Sequence, residues 1–328
     1  STPAARALGL ARALAAGALV KRGDALEALA GVRHVVFDKT GTLTRGEPAV
    51  VALFGAPETL ALAAALEAGS EHPLGRAIVA HAAMPAEPPA DFIAEPGGGV
   101  RGTIAGTPVR VGHGEWLAAA GFAVPAYDAP PGATLVYVAH GERVVGAIAL
   151  ADPLRPEAAD VLAQLRSLGL GVTLLTGDAA EAANAVAWQL GISDVRSRAT
   201  PAGKLDALRD LRARHGAVLM VGDGLNDAPA LAAADVGVAV ARGGADLAVV
   251  TADAVLAGDL TALPGLVVLA RRTVAVIHTN FRLSALYNAI AIPLAVAGLV
   301  GPLVAAVLMP LSSLAVMASA LRLAKETP

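Results

Sequence analysis

The chain has 328 residues, and 25 Lys and Arg against 28 Asp and Glu leave a net charge of −3 with no basic run, which speaks against a nucleic-acid partner. Hydrophobic residues make up 55% and charged ones 16% of the sequence, a balance that excludes intrinsic disorder and calls for a search for membrane segments. Cysteine is absent, so disulfides, zinc-thiolate sites and thiol nucleophiles are excluded as well.

The stretch 1–29 starts at Ser1, is apolar and carries Arg, and Lys21-Arg22-Gly23-Asp24 interrupts it without a processing signature. A targeting peptide fits it less well than the end of a preceding transmembrane or stalk helix region. From Gly31 on, apolar runs ending in Asp or Thr alternate with helical patterns, as in a parallel sheet with crossover helices. The runs are Val32 to Phe37, Val172 to Leu175, Val218 to Val221 and Val236 to Val240. Between them, Pro156 to Leu168 places Val161, Leu162 and Leu165 on one helical face before Gly169. A second helix opens at Thr200-Pro201, spaces Leu205, Leu208 and Leu211 for one face and closes at Gly216.

Residues 46–148 differ in texture: Pro/Gly clusters separate short alternating runs such as Val109-Arg110-Val111 and Thr134 to Val138. This reads as an inserted α+β domain, which makes the parallel-sheet domain discontinuous, 30–45 and 149–262. In the last part, 263–328, Leu283 to Val300 and Pro302 to Leu321 hold no charged residue, and each is long enough to cross a hydrocarbon core of about 30 Å. Arg271, Arg272 and Arg282 before the pair, and Arg322 and Lys325 after it, place both ends of this hairpin in the cytoplasm. The fold expected is therefore α/β: a doubly wound parallel sheet, an α+β insert and a C-terminal transmembrane helical hairpin.

Asp38-Lys39-Thr40-Gly41-Thr42-Leu43-Thr44 follows the first sheet run, at the carboxyl end where open parallel sheets place their ligand crevice. A carboxylate there can attack phosphorus to give an acyl phosphate, with the following Gly and Thr supplying donors to the phosphoryl oxygens. An isolated aspartate would read as a turn cap. Three further positions carry what phosphoryl transfer requires: Thr176-Gly177-Asp178, Lys204, and Gly222-Asp223-Gly224-Leu225-Asn226-Asp227. Asp223 and Asp227 suit Mg²⁺, which binds through few carboxylates and keeps phosphate and water as its other ligands. Lys204 supplies charge to neutralise the phosphoryl oxygens near Asp38.

On these residues the sequence resembles a P-type ATPase, a phosphorylating ion pump on the haloacid-dehalogenase-like fold, in its heavy-metal branch. The motifs are DKTGTLT from Asp38, TGD from Thr176, Pro201 to Lys204, and GDGLNDAPAL from Gly222. The resemblance implies ATP as substrate and Asp38 as the phosphorylated group, with Lys39, Thr40, Thr176, Gly177, Asp178 and Lys204 completing the catalytic set. It implies Mg²⁺ as cofactor, held at Asp38, Thr40, Asp223 and Asp227, and a hinge at Asp152. Related phosphatases have Asp as general acid/base two residues after the nucleophile; Thr40 cannot activate water at neutral pH, which favours a lasting phosphoenzyme and hence a pump.

Ser70-Glu71-His72-Pro73-Leu74 and Gly97-Gly98-Gly99-Val100 resemble that branch's nucleotide site, with Glu67, His72, Gly97 and Gly99 around ATP. The branch's Gly-Asn is Gly112-His113 here. In the hairpin, Tyr287-Asn288, Met309 and Ser312-Ser313 resemble the copper-pumping subgroup, with Tyr287, Asn288, Met309 and Ser313 toward the transported ion. A thioether suits Cu(I), so copper leads over a zinc/cadmium pump. The branch's Cys-Pro-Cys helix and Thr-Gly-Glu actuator loop are absent, and the expectation is the C-terminal portion of a larger integral membrane pump. Its catalytic domains would be cytoplasmic, with membrane lipid around it and a soluble metallochaperone as a delivering partner. The competing readings are a membrane-anchored haloacid-dehalogenase-like phosphohydrolase and a catalytically idle regulatory subunit.

Overall fold

The computed structural model describes residues 2–83, 89–224, 227–241 and 251–298. The chain opens with α1 (Thr2–Ala15), β1 (Ala18–Val20), α2 (Ala25–Ala30) and β2 (His34–Phe37). Next come β3 (Ala49–Gly55), α3 (Thr59–Glu67), α4 (Pro73–Ala82), β4 (Ala90–Glu95), β5 (Gly99–Ile104), β6 (Thr107–Gly112), α5 (Gly114–Ala119), β7 (Thr134–His140) and β8 (Arg143–Ala151). The last series is α6 (Ala158–Ser167), β9 (Gly171–Leu175), α7 (Ala180–Leu190), β10 (Asp194–Arg196) and α8 (Pro201–His215). It ends with β11 (Val218–Gly222), α9 (Ala228–Ala233), β12 (Val236–Ala241), β13 (Ala254–Ala257) and α10 (Ala262–Val296). These elements form two units, one from the described residues of Ser1–Thr42, Pro156–Gly177 and Leu190–Pro328, the other from Leu43–Arg155 and Asp178–Gln189.

The first unit is built on a seven-stranded sheet in the order β1-β13-β12-β11-β2-β9-β10. Its central strands are near-continuous apolar runs because both faces are covered. Val36, Val218 and Met220 pack under Leu208 and Leu211 of α8 and Leu231 of α9. Their alternates Val35, Phe37, Leu219 and Val221 point to the other face and are equally buried. Helix α8 starts where Thr200 Oγ1 accepts the Gly203 N–H at 3.1 Å, with Pro201 at its first position.

The second unit is a six-stranded antiparallel sheet, β3-β8-β7-β6-β5-β4. Helices α3 and α4 bury Ala63, Leu66 and Ile78 against Val109, Val111, Val138 and Ile148. Leu117 of α5 packs with Tyr137, Ala139 and Ala147 in a second cluster. Two chain segments are stitched together beside this sheet: Arg45 N–H donates to Pro153 O and Arg155 N–H to Leu43 O, both at 2.9 Å. The Asp152 carboxylate accepts the Thr44 hydroxyl at 2.5 Å and the Gly46 N–H at 2.7 Å.

Helix α10 has two parts by burial. Leu263, Leu266, Val267, Ala270 and Thr273 are buried, whereas Phe281, Leu283, Leu286, Ile290, Ile292, Leu294 and Val296 are exposed. Its length and apolarity suffice to cross a membrane, and the exposed apolar residues gather in the part expected to do so. The expected first span thus belongs to a helix that begins 21 residues earlier, at Ala262 rather than Leu283; the expected second span, Pro302 to Leu321, lies outside the described residues.

The structure adds two details to these expectations. The stretch 1–29 is not helical throughout: α1 stops where Gly17 adopts φ +84°, and Ala18–Val20 pairs antiparallel with Ala254–Leu256. The sheet is accordingly parallel except for this edge strand. Hydrophobicity alone cannot separate three edge residues from a helical continuation.

Candidate functional site

Parallel register brings the motif residues together. Phe37 pairs with Leu174 on one side and Val221 on the other, so Asp38, Thr176 and Asp223 all leave the sheet at its carboxyl end within a residue or two of one another. The Asp38 N–H donates to Val221 O at 2.9 Å and the Thr176 N–H to Arg196 O at 2.9 Å, which fixes both strand exits. After Asp38 the chain turns sharply: Gly41 has φ +74°, a conformation that favours glycine.

Lys204, in the first turn of α8, reaches back into this crevice. Its ammonium donates to Asp38 Oδ1 at 2.7 Å and to Asp227 Oδ1 at 2.6 Å. Asp38 is 6% exposed and Asp227 1%. Burial, with the charge of Asp227, pushes the Asp38 carboxyl up to about 6 against the pull of Lys204. Burial also raises Asp227, while Lys204 opposes the rise. Burial draws Lys204 down, but the two carboxylates outweigh it and the ammonium is held above its usual range.

Oδ2 of Asp227 is buried without a partner, and a Cβ on Gly222 would come within 2.8 Å of it. One lysine thus faces two buried carboxylates, with Asp223 half-buried at the adjoining strand exit. A divalent cation fits this surplus of negative charge. Among the described residues no three His, Asp or Glu side chains converge as a self-sufficient metal site; Mg²⁺, which uses few carboxylates together with phosphate and water, suits such a set.

The other expected catalytic residues are placed as follows. Thr176 is buried, Lys39 half-buried and Thr40 exposed, and Gly177 and Asp178 continue the loop after β9. Thr42 was not among the expected residues; its side chain is fully buried and its hydroxyl has no partner. Its position in the DKTGT run was the one available signal.

In the second unit a cavity of about 250 Å³ is lined by Glu67, Ser70, His72, Glu95, Gly97 to Val100, Gly112 and His113 among others. It contains all four residues expected around the nucleotide. Glu67 closes α3; burial raises its carboxyl above the usual range, and its Oε2 is buried without a partner. His72 caps α4, its Nδ1 accepting the Leu74 N–H at 3.2 Å, which leaves Nε2 as the ring's donor in the neutral form. Its volume lies just below the range of roughly 300–1,000 Å³ of ligand pockets. Glu95 was not expected there, and Gly112-His113, which stands where the heavy-metal branch has Gly-Asn, lies on the wall as well. A larger cavity, about 420 Å³, lies in the first unit between α1, α6 and α10 and holds none of the residues expected to handle phosphate.

Of the residues expected toward a transported ion, Tyr287 is half-buried and Asn288 exposed on α10. Met309 and Ser313 lie outside the described residues.

The sequence pattern of haloacid dehalogenase-like hydrolases matches residues 32–235, the segment that contains both the Asp38 crevice and the insert. The chain belongs to that family. This haloacid dehalogenase-like chain is 42% identical over 336 residues to a copper-exporting P-type ATPase of Mycobacterium tuberculosis, covering 99% of its own length and 44% of that protein's. It spans less than half of that curated relative. Among solved structures it resembles a zinc-transporting PIB-type ATPase in the E2.Pi state, with a TM-score of 0.86 and 36% identity over 98% of this chain and 55% of that one. It also resembles a catalytic domain of the CPx-ATPase CopB-B, with a TM-score of 0.62 and 31% identity over 79% of this chain and 98% of that domain. The kinship with heavy-metal P-type ATPases read from the motifs therefore extends along nearly the entire haloacid dehalogenase-like chain.

Proposed function

We propose that this chain is the catalytic C-terminal part of an ATP-driven pump for a soft heavy-metal cation, Cu(I) foremost, working through an aspartyl phosphate at Asp38. The observation that carries the reading is the buried Asp38-Lys204-Asp227 cluster at the carboxyl end of β2. In this reading, residues 30–45 and 149–262 phosphorylate, 46–148 bind ATP, and 263–328 supply membrane helices, so the protein is integral to a membrane.

An oxygen of Asp38 attacks the γ-phosphorus, a P–O bond to Asp38 forms, the bond to the β,γ-bridging oxygen breaks, and ADP leaves. Lys204 orients the Asp38 carboxylate beforehand and faces the charge that develops on the phosphoryl oxygens. Asp227 and Asp223, with Asp38 and Thr40, are the residues that would hold Mg²⁺, which when bound neutralises charge between ATP and the carboxylates. Glu67 and the Nε2–H of His72 offer an acceptor and a donor to the base. Thr40 carries no acid/base group, so water is not activated against the acyl phosphate from that position. This separates the pump from the phosphohydrolase reading.

Replacement D38N in the full-length protein, incubated with radiolabelled ATP and quenched in acid, is expected to leave no label; undiminished label refutes the assignment. The name of the copper-exporting relative supports Cu(I) as cargo, whereas that of the solved relative favours Zn²⁺ as the second reading. Stimulation of ATP turnover by Cu(I) but not Zn²⁺ is the expected result for the full-length protein, and the reverse selects the zinc reading.

A further inference from the structure

We propose that Trp116 is a positioning residue for the nucleotide, a strut behind the cavity wall that fixes the glycine loop 97–99 and reports its occupancy. The inference rests on reading the cavity of the second unit as the nucleotide site.

Trp116 sits in α5 and is not itself part of the cavity wall, yet the groups it touches are. A Cβ added to Gly98 would lie 2.6 Å from its Cδ1, and one added to Gly112 would lie 2.8 Å from its Cε3. Neither glycine has a positive φ among the described residues. What excludes a side chain there is the indole, together with the close approach of the two backbones. Those backbones are joined: the His113 N–H donates to Gly98 O at 3.0 Å, and Gly99 pairs with Gly112 across β5 and β6.

The indole is itself fixed. Its N–H donates to Glu95 Oε2 at 2.9 Å, while Glu95 Oε1 accepts from Arg101 Nε at 2.6 Å. The bond from Trp116, then that from Arg101, holds the Glu95 carboxyl below its usual range, so it is an anionic acceptor at neutral pH. The Arg110 guanidinium lies 5.5 Å from the centre of the Trp116 ring and 5.8 Å from that of Phe122. Glu95, Gly98, Gly112 and His113 all line the cavity. Displacement of the indole therefore moves four wall residues together. A nucleotide that presses on the loop must in turn perturb the indole.

The chain contains two tryptophans, and the other, Trp188, is 85% exposed on α7, so W188F leaves Trp116 as sole indole fluorophore. In detergent, the whole W188F chain titrated with ATP is expected to show a saturable change in emission. On the same background, titration calorimetry of W116F is expected to show ATP binding weakened about tenfold, and of W116L more strongly. E95A, which leaves the indole N–H without its acceptor, is expected to weaken binding too, and to add little to W116F because both remove the same hydrogen bond. Labelling of Asp38 by acetyl phosphate, which bypasses the base pocket, is expected to be unchanged in all of them, as is the far-ultraviolet dichroism. Unaltered ATP affinity in W116F and W116L overturns the proposal and leaves the nucleotide-site reading standing. A loss of acetyl-phosphate labelling parallel to the loss of affinity overturns it in favour of a role in folding alone. Failure of the W188F parent to bind ATP removes the nucleotide-site reading itself, and the proposal with it.

Discussion

One ammonium serving two buried carboxylates makes Lys204 the residue whose loss the crevice can least absorb. Removing one partner of a buried charge set leaves the rest uncompensated, which costs more than the pair contributes. K204M is expected to slow phosphorylation of Asp38 by ATP about 10²- to 10³-fold, measured by rapid acid quench. The pH profile carries a second expectation. In the proposed reaction Asp38 attacks only as carboxylate, and its carboxyl is held up at about 6. The labelling rate should therefore climb about tenfold per pH unit below that value and level off above it. Lys204 pulls this titration downward, so in K204M the break should move to higher pH. Asp38, Lys204 and Asp227 were legible because each stands at a strand end or helix start inside a recognisable motif. Glu95 was not, since a bond to an indole leaves no periodic trace in sequence; the DKTGT run marked Thr42, but nothing in it foretold the burial of its hydroxyl.

At the scale of elements, Lys204 is placed by the start of α8. Thr200 caps that helix through the Gly203 N–H, one residue before Lys204. T200A is expected to cost about 1 kcal/mol of stability in a denaturant titration, and to reduce phosphorylation beyond what the stability loss explains, because the first turn that aims Lys204 frays. A helical cap without that aim would leave the rate intact. Helix α8 could be read in advance because Thr-Pro opens it, leucines mark its face and Gly216 follows it; the central strands could be read as apolar runs. The edges could not. Strands β1 and β10 have three residues each, too short for any period to declare itself. Helix α10 likewise hid its start, because its buried first part runs into its exposed apolar part without a break in the helix.

For the whole molecule, two expectations concern stability and setting. His34, at the opposite end of β2 from Asp38, is buried, with Nε2 2.7 Å from Thr173 Oγ1 and its ring stacked 4.3 Å from His215. Thr173 in turn donates to Asp194 at 2.6 Å. Burial, then the charge of His215, lowers the His34 imidazole to about 4. Between pH 6.5 and about 4 the unfolded chain takes up a proton that the folded one refuses, so this contribution is complete above 6.5 and fades as pH falls through the window. The thermal midpoint should drop less steeply with acidification in H34Q than in the parent. As to setting, the exposed apolar residues from Phe281 to Val296 predict that the chain stays with the membrane fraction through alkaline carbonate washing and dissolves in detergent. Underlying all of this is the proposal of an acyl phosphate on Asp38, the residue that follows β2. Borohydride reduction of the full-length protein, trapped after brief exposure to Mg-ATP, followed by peptide mass spectrometry, locates that bond directly. Homoserine is expected at position 38 and nowhere else; aspartate intact at 38, with homoserine at another position, would overturn the assignment of Asp38 as the phosphorylated residue.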